Sequence, residues 1–218
     1  MSFQVFIQGT SFDVLNSMSF NYVADSFVAS GSGSRTYPSL NAKYEAVILN
    51  NFGGSDTNDR NYKVTVSGNK VTWDLPNSVR LVVFATPDAG ADTHYGGFAY
   101  YDYSAGKRTV KLAPDFVPYC LVQVVDIASG NRDVSTPVPS GNGIVAFHRG
   151  NNTSASQLDQ MIFDYVVVNG KYVLRVTNNP TGGRIYVFSD MLVNVPSRGF
   201  YMYREGKMVW HSNCLPLN

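Results

Sequence analysis

The feature that most constrains this chain is the shortness of its apolar runs. Stretches rich in Val, Ile, Tyr and Phe last about four to eight residues and are then broken by Gly, Asn, Ser or Pro, and no window sustains a helical apolar period. Such a chain has no long apolar stripe with which a helix could dock on a core. It buries its side chains as strands, whose alternate residues point to opposite faces. The spacing predicts strands over Phe3–Gln8, Ser11–Asn16, Asn21–Ser30, Tyr44–Leu49, Tyr62–Val66, Lys70–Leu75, Arg80–Ala85, Gly97–Tyr103 and Arg108–Leu112. It predicts further strands over Cys120–Ile127, Gly143–Arg149, Met161–Val168, Lys171–Thr177, Arg184–Ser189, Gly199–Arg204 and Lys207–Ser212. Only Ser154–Gln160 could hold a helical turn.

Turn chemistry orders these strands into hairpins. Tyr62–Val66 alternates, turns through Ser67-Gly68-Asn69 and resumes at Lys70. Asn169-Gly170 joins Val166–Val168 to Tyr172–Val176, and Glu205-Gly206 joins Phe200–Tyr203 to Met208–Trp210. Asn-Gly tolerates the positive φ angles of a type I′ turn, whose twist matches that of the flanking strands. The fold class expected is therefore all-β: one or more antiparallel β-sandwiches built from consecutive hairpins.

Proline and glycine suggest the boundaries. Ser135-Thr136-Pro137-Val138-Pro139-Ser140-Gly141 reads as a poor strand, because proline cannot donate to a ladder. It is the expected linker or crossover, dividing the chain into an N-terminal sandwich over 1–134 and a C-terminal sheet or sandwich over 141–218, or else separating two sheets of one domain. Gly31-Ser32-Gly33-Ser34 and the segment from Gly53 to Asp59 are the expected flexible loops.

Charge narrows the functions. Asp, Glu, Lys and Arg make up 15% of the chain, against roughly 25% in ordinary domains, and the only glutamates are Glu45 and Glu205. A surface of Ser, Asn, Thr, Gly and Tyr makes its contacts through neutral hydrogen bonds and aromatic faces. The net charge is +1, and Lys107-Arg108 with Lys111 is too small a basic cluster to follow a phosphate backbone, so no nucleic-acid partner is expected. No apolar run is long enough for a membrane helix, and Met1-Ser2-Phe3-Gln4-Val5 lacks the features of a signal peptide. Synthesis in a cytoplasm is expected.

Reactive side chains are scattered. His94, His148 and His211 share no metal-binding spacing with one another or with cysteine. Asp56-Thr57-Asn58-Asp59 begins like a calcium loop but lacks the glycine and the closing glutamate. Asp88, Asp92, Asp102 and Asp115 could offer paired carboxylates, although aspartate is also a common turn residue. Cys214 and His211 are three residues apart, which on a continuing strand places them on opposite faces. Cys120 lies in an apolar run and reads as a buried thiol; whether it pairs with Cys214 stays open. No catalytic, metal or cofactor site is expected.

One segment exceeds background. Tyr95 to Tyr103 carries five aromatic rings in nine residues. In alternation Tyr95, Tyr101 and Tyr103 share a face, and Phe98 and Tyr100 share the other. One face can enter a core; the other would be an aromatic strip that stacks on sugars or grips a protein, unless both are covered.

Three hairpins echo one another. Phe3-Gln4-Val5-Phe6-Ile7 is followed by Val14-Leu15-Asn16-Ser17, Val173-Leu174-Arg175-Val176 by Ile185-Tyr186-Val187-Phe188-Ser189, and Tyr201-Met202-Tyr203 by Met208-Val209-Trp210-His211-Ser212. This pattern over Phe3–Val23 and Tyr172–Ser212 resembles short β-rich proteins encoded among phage and prophage tail genes, from which Asn16 departs by standing where an acidic residue is usual. The resemblance implies a virion role without enzymatic activity. The function expected is that of a structural component of a bacteriophage tail or tail tip, oligomeric and assembling on other tail proteins. The alternative is a module that binds a surface glycan or host receptor, with Tyr95, Tyr101, Tyr103, Trp73 and Trp210 as the binding face.

Overall fold

A computed structural model describes residues 9–11, 22–37, 42–49, 62–87, 100–102, 109–112, 117–151 and 161–217. The described chain is all-β and antiparallel, built largely from consecutive hairpins, with no closed barrel. The strands are β1 (Tyr22–Thr36), β2 (Ala42–Leu49), β3 (Lys63–Ser67), β4 (Lys70–Pro87), β5 (Tyr100–Asp102), β6 (Thr109–Leu112) and β7 (Cys120–Ile127). The later ones are β8 (Arg132–Pro139), β9 (Ile144–Gly150), β10 (Ile162–Val168), β11 (Lys171–Thr177), β12 (Gly183–Ser189), β13 (Tyr201–Arg204) and β14 (Lys207–His211). The strands expected over 3–8 and most of 11–16 and the helical turn over 154–160 lie outside the described residues.

The first sheet runs β1-β4-β2, with β3 also paired to β4. Its centre explains itself from sequence. In Leu81-Val82-Val83 every residue is buried, Leu81 and Val83 in one apolar cluster and Val82 in another on the opposite face. A strand covered on both sides reads as a continuous apolar run rather than an alternation, and each such residue contributes about 1.5–3 kcal/mol by its burial. The stretches expected as separate strands over Lys70–Leu75 and Arg80–Ala85 are one strand. Pro76, Asn77 and Ser78 bulge outward between Leu75, paired to Gly31, and Val79, paired to Ala29. Pro76 cannot donate a ladder bond, so the bulge sits where the sequence breaks the ladder.

The segment 31–34, expected as a flexible loop, lies inside β1. Gly33 pairs with Trp73 across the ladder, and a Cβ at Gly33 would come within 2.7 Å of the indole. The glycine makes room for the ring, which also packs at 5.3 Å on Phe27.

Two three-stranded sheets, β10-β11-β8 and β7-β12-β9, form the sandwich. Val134, Val138, Phe163, Leu174 and Val176 from one sheet meet Ile127, Ile144, Ala146, Ile185 and Val187 from the other. Residues 135–139 of the expected linker are therefore part of β8, an edge strand paired only to β11 among the described residues. At Pro137 the ladder has no N–H to use; the Thr136 hydroxyl donates to the Tyr172 carbonyl at 2.7 Å and satisfies it. Both prolines are tolerated because β8 is an edge. Since β7 pairs with β12, the sandwich begins at Cys120, upstream of the expected boundary.

The sandwich and the first sheet are in contact. Val145, between the core residues Ile144 and Ala146 on β9, packs on Val23 and Val82 together with Tyr119 and Leu217. The predicted hairpin turns hold: Asn169 and Gly170 have φ of 50° and 74°, Glu205 and Gly206 of 51° and 77°.

Candidate interaction surface

The outward face of the sheet β7-β12-β9 changes character row by row. Along β12, Ile185 and Val187 point into the sandwich, so Arg184, Tyr186 and Phe188 point out. Register extends each into a row across the sheet. Phe188 pairs with Leu121 and Val145, Tyr186 with Val124 and Phe147, and Arg184 with Asp126 and Arg149. The first row packs under the first sheet through Val145 and Phe188. The second is open: Val124 is 44% and Phe147 39% exposed, and Tyr186 between them is half-buried. The third is charged, and Arg184 grips Asp126 with two hydrogen bonds, 2.6 and 2.9 Å. That pairing holds the Asp126 carboxyl below the usual carboxylate range.

An apolar row with a charged rim is the pattern of a protein contact surface. A cleft of about 270 Å³ adjoins it, lined by Leu49, Phe147, His148, Met161, Phe163 and Tyr165 among others. It lies where the edge strands β9 and β10 of the two sheets approach. His148 meets the Phe163 ring edge-on at 5.9 Å, and its partial burial lowers its pKa. The phenol of Tyr165 accepts the Ala146 N–H at 2.9 Å and ties β10 to β9; burial pushes that phenol up to about 12.

Exposed apolar side chains concentrate on sheet edges. Val28 is on β1, Val47 on β2, Val124 on β7, Phe147 on β9, and Val167 and Val168 on β10. Each of these strands has a named strand beside it on one side only among the described residues, β7 being flanked on its other side at its start by 215–217, whereas the central strands β4, β11 and β12 carry no such side chain. Edge strands offer unpaired N–H and C=O groups as well as side chains.

The residues singled out from sequence fare differently. Tyr95 and Tyr103 lie outside the described residues. Tyr101 is on β5, paired to Val110, and Asp102 is paired to Thr109. Trp73 is half-buried against Phe27 and Gly33. Trp210 is not a binding platform: it is fully buried with Met202, Cys120 and Cys214 beneath the β13–β14 hairpin. His94, Asp56, Asp59, Asp88, Asp92 and Asp115 lie outside the described residues. His211 and Cys214, expected on opposite faces, come together because β14 stops at His211 and the chain turns, the Cys214 N–H donating to the His211 carbonyl at 3.0 Å. Both cysteines are free thiols and buried.

The Val124–Tyr186–Phe147 row escapes sequence reading. Alternation shows that Tyr186 opposes Ile185, but only register brings Val124 and Phe147 beside it. No protein-family model, curated protein or solved structure matches this chain.

Proposed function

We propose that this chain is a structural protein that takes its place in a larger assembly by protein–protein contact, and that the assembly is a bacteriophage tail or tail tip. The observation that carries the first part is the open Val124–Tyr186–Phe147 row, rimmed by Asp126, Arg184 and Arg149. Its aromatic and aliphatic side chains suit the dry centre of an interface, and the charges suit its wet margin. Edge strands carrying exposed valines supply a second mode, in which a partner strand extends a sheet. The second part rests on the resemblance of the strand patterns over Phe3–Val23 and Tyr172–Ser212 to phage tail proteins, although Val173–Val176 and Ile185–Ser189, expected as one hairpin, lie on β11 and β12 in different sheets because the chain crosses from one layer of the sandwich to the other between them. On this reading the chain works by contact rather than by catalysis, and its final location is the virion.

Sedimentation velocity of the purified chain, alone and with host cell-surface polysaccharide, tests the reading. A defined oligomer indifferent to polysaccharide is the expected result. A monomer that binds the polysaccharide would overturn it in favour of a receptor-binding module.

A further inference from the structure

We infer that Cys120 and Cys214 are a redox pair whose two thiols close into a disulfide that clasps the 214–217 segment onto β7. The geometry begins with the backbone. The Leu121 N–H donates to the Leu215 carbonyl and the Leu217 N–H to the Tyr119 carbonyl, each at 2.7 Å, and Cys120 pairs with Pro216 in an antiparallel bridge. These bonds lay 214–217 along the start of β7, on the side away from β12. Cys120 and Cys214 then share one apolar cluster with Met202 and Trp210, and the Cys120 thiol donates to the Pro118 carbonyl at 3.5 Å.

A third group completes the arrangement. His211 is fully buried; its Nδ1 accepts the Asn213 N–H at 3.2 Å, and its carbonyl accepts the Cys214 N–H. The thiols are not equivalent. Burial pushes Cys120 up, whereas the neighbouring Cys120 and His211 groups hold Cys214 down. Cys214 is thus the nucleophile and Cys120 the resolving thiol.

The oxidant is a low-molecular-weight disulfide, R–S–S–R. The Cys214 thiolate attacks one of its sulfurs, that S–S bond breaks, and R–S⁻ leaves to take up a proton. Cys120 gives up its proton and attacks the Cys214 sulfur of the mixed disulfide. The Cys120–Cys214 bond forms and the second R–S⁻ departs to be protonated. Two protein thiols are oxidised and one small disulfide is reduced to two thiols. Both sulfurs are almost fully covered, so the turn at 212–214 must open first, and the reaction is slower than that of an exposed thiol. A pair of this kind stays open in a reducing cytoplasm and closes outside it. The inference stands independently of the assembly reading.

The test is incubation of the reduced, folded chain with oxidised glutathione, followed by intact mass, non-reducing peptide mapping and thermal melting. The expected product is one Cys120–Cys214 cross-link without retained glutathione, with a raised melting midpoint, both reversed by dithiothreitol. Cys120→Ala should instead retain glutathione on Cys214, because the resolving thiol is gone. If that variant does not fold, the wild-type cross-link and its melting shift decide alone. Thiols that stay free until the chain is unfolded, glutathione retained on the wild type, or a cross-link that lowers the midpoint would each overturn the inference.

Discussion

The guanidinium of Arg80 on β4 lies 4.2 Å from the centre of the Tyr165 ring on β10, a stacking contact that fastens the first sheet to the sandwich. Arg80 is 3% exposed and donates to the Ser26 hydroxyl at 3.1 Å, which donates in turn to the Ile144 carbonyl at 2.7 Å. Its Nε has no hydrogen-bond partner. The aromatic face and one hydroxyl thus carry much of the compensation for a buried cation. Arg80→Lys should lose about 1–3 kcal/mol, because the ammonium is more strongly hydrated and cannot stack as a plane. Arg80→Met, which keeps the stem and removes the buried charge, should stay within about 1 kcal/mol of wild type. Urea midpoints at constant slope measure both; a Met variant as damaged as the Lys variant would show that the cation itself stabilises the junction.

The two tryptophans should separate cleanly. Trp210→Ala empties a fully buried site and should cost about 3–5 kcal/mol. Gly33→Ala acts on the other tryptophan without touching it, since the new methyl meets the Trp73 ring at 2.7 Å. That overpacking should cost about 1–3 kcal/mol. Thermal melting reads the first, and melting with Trp73 fluorescence in a Trp210→Phe background reads the second.

Glu205 occupies the first position of the β13–β14 turn with φ of 51°. A side chain with its carboxylate this far from the backbone gains little there, whereas asparagine tolerates the left-handed conformation. Glu205→Asn should stabilise the chain by about 0.5–1 kcal/mol, seen as a raised urea midpoint.

Alkaline pH should weaken the fold. The buried Tyr165 phenol is raised from 10 to about 12 by desolvation. Above pH 10 the unfolded chain therefore releases this proton first, and stability is lost as pH rises towards 12. For this residue the loss approaches roughly 2–3 kcal/mol. Tyr37, Tyr44 and Tyr119 are also raised by burial and add in the same direction. Denaturation midpoints between pH 9 and pH 12 should fall throughout, and Tyr165→Phe should make the fall shallower.

The all-β class and the hairpins turning at Gly68, Asn169-Gly170 and Glu205-Gly206 were legible because they depend on local signals: alternation, Asn-Gly, Glu-Gly and the absence of a helical period. What was not legible depends on partners distant in the chain. Gly33 reads as a loop residue until Trp73 is placed over it, and Pro137 reads as a linker until the Thr136 hydroxyl is seen at the Tyr172 carbonyl. Trp210 looked like a platform because aromatics often are, but its hairpin folds it onto Met202 and Cys120. The contact row needed three strands in register, and Val124, Phe147 and Tyr186 are each unremarkable alone. His211 and Cys214 are three positions apart, a spacing that separates them on a strand and joins them in a turn.

The assembly account is tested most directly by sedimentation velocity of the wild type beside a Val124→Lys, Phe147→Lys double variant. Both side chains are exposed, so the variant should melt with the wild type. The account predicts a defined wild-type oligomer that dissociates to monomer in the variant. A wild type that remains monomeric, or a variant that assembles as the wild type does, would contradict it.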